Sequence, residues 1–152
     1  MSAEVPTVAV RFQATPVREF LDLQEAIDGY QRELQLAAVG GSEAVLPAPD
    51  ASALLEVREA MSEVRTELHD QAARAREAGQ DVAELVGHYP VGARQALLAV
   101  MEASRHADEA ARRGRFLGPP LPDRVRAVQV WMYRELLAQL DGADPTPFAD
   151  EQ

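Results

Sequence analysis

The 152-residue chain has no cysteine, no lysine and no asparagine, one isoleucine (Ile27), and only 5% aromatic residues. Without cysteine there is no disulfide, no thiolate metal ligand and no cysteine nucleophile. With few aromatics, a 47% hydrophobic chain must build its core from Leu, Val, Ala and Met. These side chains suit helix packing, so the fold is expected to be mainly α. All 15 basic residues are arginine, which together with the abundant alanine reads as the codon bias of a GC-rich bacterium rather than as a functional signal.

Long hydrophobic runs are missing as well. Residues 1–15 contain Glu4, no early basic cluster and no extended apolar stretch, so the expectation is a cytoplasmic chain with neither signal peptide nor transmembrane span. A net charge of −10 repels phosphate backbones and anionic lipid, so general nucleic-acid binding and membrane binding are not expected. There is no Walker loop, Gly-rich dinucleotide fingerprint, nucleophile elbow or zinc-protease helix. No catalytic residues and no cofactor are therefore assigned, and the chain is read as not an enzyme.

What the chain does contain is a series of amphipathic stretches separated by Pro and Gly. Its length fits one domain, expected as a single helical domain over 1–142 followed by an extended C-terminal tail, 143–152. The run Thr7 to Phe12, bounded by Pro6 and Pro16, predicts a strand near 7–13. Thr15 is placed to cap a helix with Pro16 in its first turn, and Phe20, Leu23, Ile27, Tyr30 and Leu34 recur at helical spacing up to Gly40-Gly41.

A second helix is expected from a cap at Asp50 or Ser52 to about Gly79, with Leu54, Val57, Met61, Val64, Leu68 and Ala75 as a stripe broken by Gln71. In Val82–Tyr89, Val82, Glu84, Val86 and His88 alternate against Ala83, Leu85 and Tyr89, which predicts the partner strand near 82–89. A third helix, about Val91 to Arg113, carries Ala93, Leu97, Val100, Met101, Ser104, Ala107 and Ala111 on its inner face. The fourth, about Pro122 to Leu140, carries Val125, Val128, Met132, Leu136 and Leu140, with Val130, Tyr133 and Leu137 widening its stripe until Gly142 stops it. The fold class is therefore a four-helix bundle-like domain with a small two-stranded β-sheet.

Few residues suggest chemistry. Arg65-Thr66-Glu67-Leu68-His69-Asp70 resembles the phosphoacceptor box of one family of dimeric histidine kinases, in which an exposed His beside an acidic residue takes a phosphoryl group. That makes His69 a candidate acceptor with Asp70 orienting it, although a solvated helix face produces the same string. No metal site is assigned: Glu102 and His106 share a helix face, but no second pair repeats their spacing. Arg112, Arg113 and Arg115, with Arg124 and Arg126 further on, form the one concentrated basic patch, and arginines at a helix C-terminus also suit the helix dipole. Trp131, Tyr133 and Phe148 are candidate anchors of a protein contact, or else core residues.

Longer stretches carry a family resemblance. They are Pro16-Val17-Arg18 with Glu33-Leu34-Gln35-Leu36-Ala37, Ala107-Asp108-Glu109, and Leu121-Pro122-Asp123-Arg124-Val125 through Trp131-Met132-Tyr133-Arg134-Glu135 to Gly142-Ala143-Asp144-Pro145-Thr146-Pro147-Phe148. They resemble an actinobacterial family of small helical proteins associated with anti-sigma-factor-type ATP-binding regulators; where that family's ending reads Pro-Thr-Pro-Trp, this chain has Phe148. The resemblance implies a regulatory role in signalling and brings no catalytic residue with it.

The resulting expectation is a non-enzymatic regulatory adaptor of bacterial cytoplasmic signalling that acts by protein–protein interaction. Its partner would be another signalling protein, such as an anti-sigma-type ATP-binding protein. Two other readings stand beside it: a histidine phosphotransfer protein using His69, and a small-molecule sensor built within a helical bundle. Homo-oligomerisation is a further expectation, because the second and fourth helices have broad apolar stripes.

Overall fold

The computed structural model describes residues 6–40, 59, 61–114 and 119–149. In chain order these form β1 (Thr7–Pro16), α1 (Val17–Gly40), α2 (Ser62–Glu77), β2 (Val82–Pro90), α3 (Arg94–Arg112) and α4 (Asp123–Leu140). The protein is mainly helical, with one small antiparallel two-stranded sheet, β1–β2. Asp50, Ser52, Leu54 and Val57, assigned above to the start of the second helix, lie outside the described residues, as does Arg115.

The strands pair across 65 residues of sequence, from Thr7↔Pro90 to Phe12↔Leu85. Beyond this the register slips, resuming at Thr15↔Ala83 and Pro16↔Val82. One extra residue in β1 makes a bulge, with Ala14 at φ 55°. The bulge corrects the expected helix cap: the Thr15 hydroxyl, completely buried, donates to the Phe12 carbonyl at 2.8 Å instead of capping α1. The first amide of α1, that of Val17, donates instead to Asp81 O at 2.9 Å. β1 accordingly runs on to Pro16, and α1 begins after it.

Period-two alternation places Val10, Phe12, Leu85 and Tyr89 in the core. On the same face Gly87 admits α2: a Cβ there would meet Tyr89 Cε2 at 2.9 Å and Val64 Cγ1 at 3.0 Å. Helix α2 packs on β2, α1 lies against both α2 and α4, and α4 packs on β1 and α3. The buried stripes match the sequence periodicity: Val64, Leu68, Ala72 and Ala75 on α2; Leu97, Val100, Ala103, Ala107 and Ala111 on α3; Val125, Val128, Met132 and Leu136 on α4. Val130, read above as part of the α4 stripe, is 48% exposed, because it lies two residues, about 200° round the helix, from both Val128 and Met132 and so faces the other way.

Glycines terminate α2 and α4 by the same geometry. Gly79 (φ 74°) and Gly142 (φ 95°) take left-handed conformations. The next amides, of Gln80 and Ala143, then reach back to Ala75 O and Ala138 O at 2.9 Å each, closing Schellman caps. The α3–α4 connection is fastened by Asp108, 8% exposed, whose carboxylate accepts from the Leu121 amide at 3.1 Å and from Arg126 Nε at 2.8 Å. Tyr30 of α1 holds the same connection through a 2.9 Å bond to Pro119 O. The stretch 143–149 has no helix or strand, yet it is tied down: Trp131 Nε1 donates to Thr146 O, the Thr146 amide donates to the buried Glu135 carboxylate at 2.8 Å, and the Phe148 amide donates to Gln13 O.

Candidate functional site

All four helices and β2 contribute to one cavity of about 170 Å³. Its walls are Phe20, Leu23 and Ile27 from α1, Val64 and Leu68 from α2, Tyr89 from β2, Leu97 and Val100 from α3, and Met132 and Leu136 from α4, with Met61 just ahead of α2. These are the apolar stripes that helical periodicity marks as core. They surround a space because five elements converge at different angles and the side chains meet there without filling it.

The polar lining falls into two groups. On one side are the uncharged Gln31, Ser104, Gln129 and Tyr133. Gln31, Ser104 and Gln129 also line a smaller adjoining space, which sets them side by side. Ser104 Oγ lies 3.2 Å from the Tyr133 hydroxyl, longer than the usual hydroxyl pair, and Gln129 also hydrogen-bonds that hydroxyl. Burial raises the pKa of Tyr133 despite these two bonds, and burial likewise raises that of Tyr89. The cavity therefore favours neutral groups.

On the other side Gln24 and Arg65 form a partition, lining both the cavity and a polar groove between α1 and α2. The groove holds Glu25, Asp28, Arg32, Glu59, His69 and Arg76. Arg65 is ion-paired to Asp28 across it. The Gln24 amide nitrogen points to Arg65 O at 3.5 Å, which turns its oxygen toward His69 Nδ1 at 2.7 Å. An amide oxygen only accepts, so Nδ1 carries the hydrogen and the Nε2 lone pair of the neutral ring is directed away from Gln24.

His69 is thus an exposed histidine with an oriented ring. The orienting residue is Gln24 of α1, which corrects the assignment of that role to Asp70. Neighbours in a helix diverge by about 100° and do not face each other, and Asp70 is exposed.

Trp131, Tyr133 and Phe148 are engaged within the chain. The Trp131 ring, 8% exposed, packs edge-on against Phe12 at 5.9 Å and Phe148 at 5.4 Å, while Tyr133 turns into the cavity. Of the basic patch, Arg112 lies 3.5 Å from Asp108, Arg126 pairs with the same carboxylate, and Arg124 pairs with Glu19. Arg113 is exposed just past the end of α3.

His106 and Glu102 form a local i,i+4 contact at 3.1 Å, and His88 contacts Glu67 at 2.7 Å. Among the described residues, no three His, Asp or Glu side chains come together as a metal site would require, and no helix is long and apolar enough to cross a membrane.

Sequence reasoning passed over Gln24, Gln31 and Gln129. The available signal was position: Gln31 follows Ile27 by four residues and Gln129 follows Val125 by four, so both polar side chains fall on apolar stripes. Comparison with family models, curated proteins and solved structures finds no match to this chain.

Proposed function

We propose that the chain is a non-enzymatic regulatory module of bacterial cytoplasmic signalling that senses a small molecule in the cavity between its helices. It would pass occupancy on by contact with another signalling protein. The observation supporting this reading is the cavity itself, apolar over most of its wall, with a few uncharged polar groups gathered at one place. That is the usual composition of a small-molecule site. In this reading the four helices form a bundle-like shell, and a ligand touching all of them changes how tightly they pack. The family resemblance along Leu121–Phe148 makes an anti-sigma-type ATP-binding protein the first partner to test.

The test is a methyl NMR titration of the full chain with a library of compounds of about six to ten heavy atoms, a size set by comparison with a 150 Å³ protein cavity that holds benzene. Binding should move the signals of Leu97, Val100 and Leu136. At a hundredfold excess over Kd it should stabilise the fold by about 2.7 kcal/mol. A Val100→Phe variant, which puts a ring into the space, should abolish both effects. If those methyls stay put across the whole library, ligand sensing is wrong.

The hydrogen bond from His69 to Gln24 supports a second reading, a phosphotransfer role. The exposed Nε2 would attack the γ-phosphorus of ATP held by a partner kinase. An N–P bond forms as the bond to the ADP oxygen breaks, and the Nδ1 proton passes to water. Acid-labile label should then appear on the wild-type chain and vanish in His69→Gln. Label that persists in the variant rejects this reading.

A further inference from the structure

We infer that the cavity takes a neutral, compact ligand with an apolar body and a single hydrogen-bonding group, and that this group docks against Ser104, Tyr133 and Gln129. The inference rests on the ligand-sensing reading and specifies its chemistry.

Size limits the ligand first. A cavity of about 170 Å³ exceeds by little one that holds benzene, so it admits roughly one six-membered ring with up to three substituent atoms. Charge limits it next. A charged ligand group needs a counter-ion inside the cavity to offset its lost hydration. Among the described residues, the titratable groups lining the cavity are Tyr89, Tyr133 and Arg65. Burial keeps both phenols protonated, and the Arg65 guanidinium is already paired with Asp28 on the groove side of the partition. Among the described residues, the cavity therefore has no uncommitted charge to offer.

Polarity sets the orientation. A hydroxyl has one donor and two acceptor positions, and the Ser104–Tyr133 contact at 3.2 Å uses only one donor for the pair. Gln129, 9% exposed, brings an amide to the same hydroxyl. A purely apolar guest leaves the remaining capacity unmet, whereas a ligand hydroxyl or carbonyl placed there can give or take a hydrogen bond. The rest of the wall is hydrocarbon from Phe20, Leu23, Leu97 and Met132, which fits an apolar body.

Toluene and phenol have nearly the same outline and differ at the one group in question, while benzamide and benzoate form a neutral and a charged pair of one common outline. Titrated by NMR into the full chain, phenol should bind about fivefold more tightly than toluene, the factor expected from one net hydrogen bond. Benzoate should bind at least about tenfold more weakly than benzamide. In Ser104→Ala the phenol-to-toluene ratio should fall toward one with toluene affinity retained, and that retained binding shows that the variant cavity is intact. Toluene binding as tightly as phenol overturns the polar-end inference and leaves the sensing reading standing. Benzoate binding as tightly as benzamide overturns neutrality. Failure of all four to bind overturns this inference, while the library titration decides the reading beneath it.

Discussion

Arg11 and Val86 face each other across the two-stranded sheet, and a glutamine side chain takes the outward-pointing backbone groups of each. Gln139 of α4 accepts from the Arg11 amide at 2.9 Å and donates to its carbonyl at 2.8 Å. Gln71 of α2 does the same for Val86, at 2.9 Å and 2.8 Å. A sheet of two strands has nothing but edges, and free edges invite pairing with other chains. These two glutamines close both edges at one rung. They also explain why Gln71 interrupts the apolar stripe of α2.

Replacing either glutamine by alanine uncovers two backbone groups. Gln139→Ala should lower stability by about 2 kcal/mol in urea denaturation, because a buried amide is lost and Glu135 loses a hydrogen-bond partner. Gln71→Ala, at a half-buried site, should cost about 1 kcal/mol. The double variant should self-associate more strongly than the wild type in sedimentation experiments. Full stability in both single variants would show that water replaces the glutamines without loss.

Gly87 sets how closely α2 approaches the sheet. Gly87→Ala places a methyl within 3.0 Å of Val64 and Tyr89, so overpacking should cost about 1–3 kcal/mol. Combining it with Val64→Ala should recover part of that loss, since the two changes share one space. A Gly87→Ala chain as stable as wild type would mean that α2 can move away freely.

The stretch 143–149 is held to the domain by Trp131, Glu135 and Gln13. Phe148→Ala removes a half-buried ring from its edge-on contact with Trp131. It should destabilise the fold by about 1–2 kcal/mol and shift the Trp131 fluorescence to the red. An unchanged emission spectrum would show that Trp131 is shielded without the tail.

Alkaline pH should unfold the protein through its tyrosines. Burial, then the Asp108 carboxylate, pushes Tyr30 from the usual 10.0 up to about 12, and Tyr89 and Tyr133 are raised in the same direction by burial. The native chain therefore keeps phenolic protons that the unfolded chain releases near pH 10. Stability is full below that pH and falls as pH climbs toward 12. Tyrosinate absorbance and loss of helical circular dichroism should rise together in one transition. Tyrosinate forming near pH 10 with the helices intact would contradict this.

The secondary structure was legible in the sequence because it depends on local periodicity. Alternation around Leu85 and Tyr89 marks β2 against its helical neighbours, and Gly79 and Gly142 stand where left-handed helix ends are needed. The Thr15 cap was misread because a threonine before a helix has two local options, and the extra residue in β1 turns its hydroxyl back to Phe12. The polar side of the cavity was hidden for a different reason. Gln129 and Tyr133 are four residues apart on α4, but Ser104 belongs to α3, and no spacing along the chain brings it to them.

Composition and periodicity by themselves determined a mainly helical chain with two short strands, an interior of small aliphatic side chains, and helices that end at glycine. These follow from the few residues that fit each local backbone geometry. Only the tertiary structure decided that Gln71 and Gln139 close the sheet, that Trp131 lies beneath Phe148, that Gln24 rather than Asp70 orients His69, and that the helices leave a cavity with one uncharged polar corner. Each of these is a contact between residues distant in sequence, and its geometry is set by how whole elements pack, which no local pattern encodes.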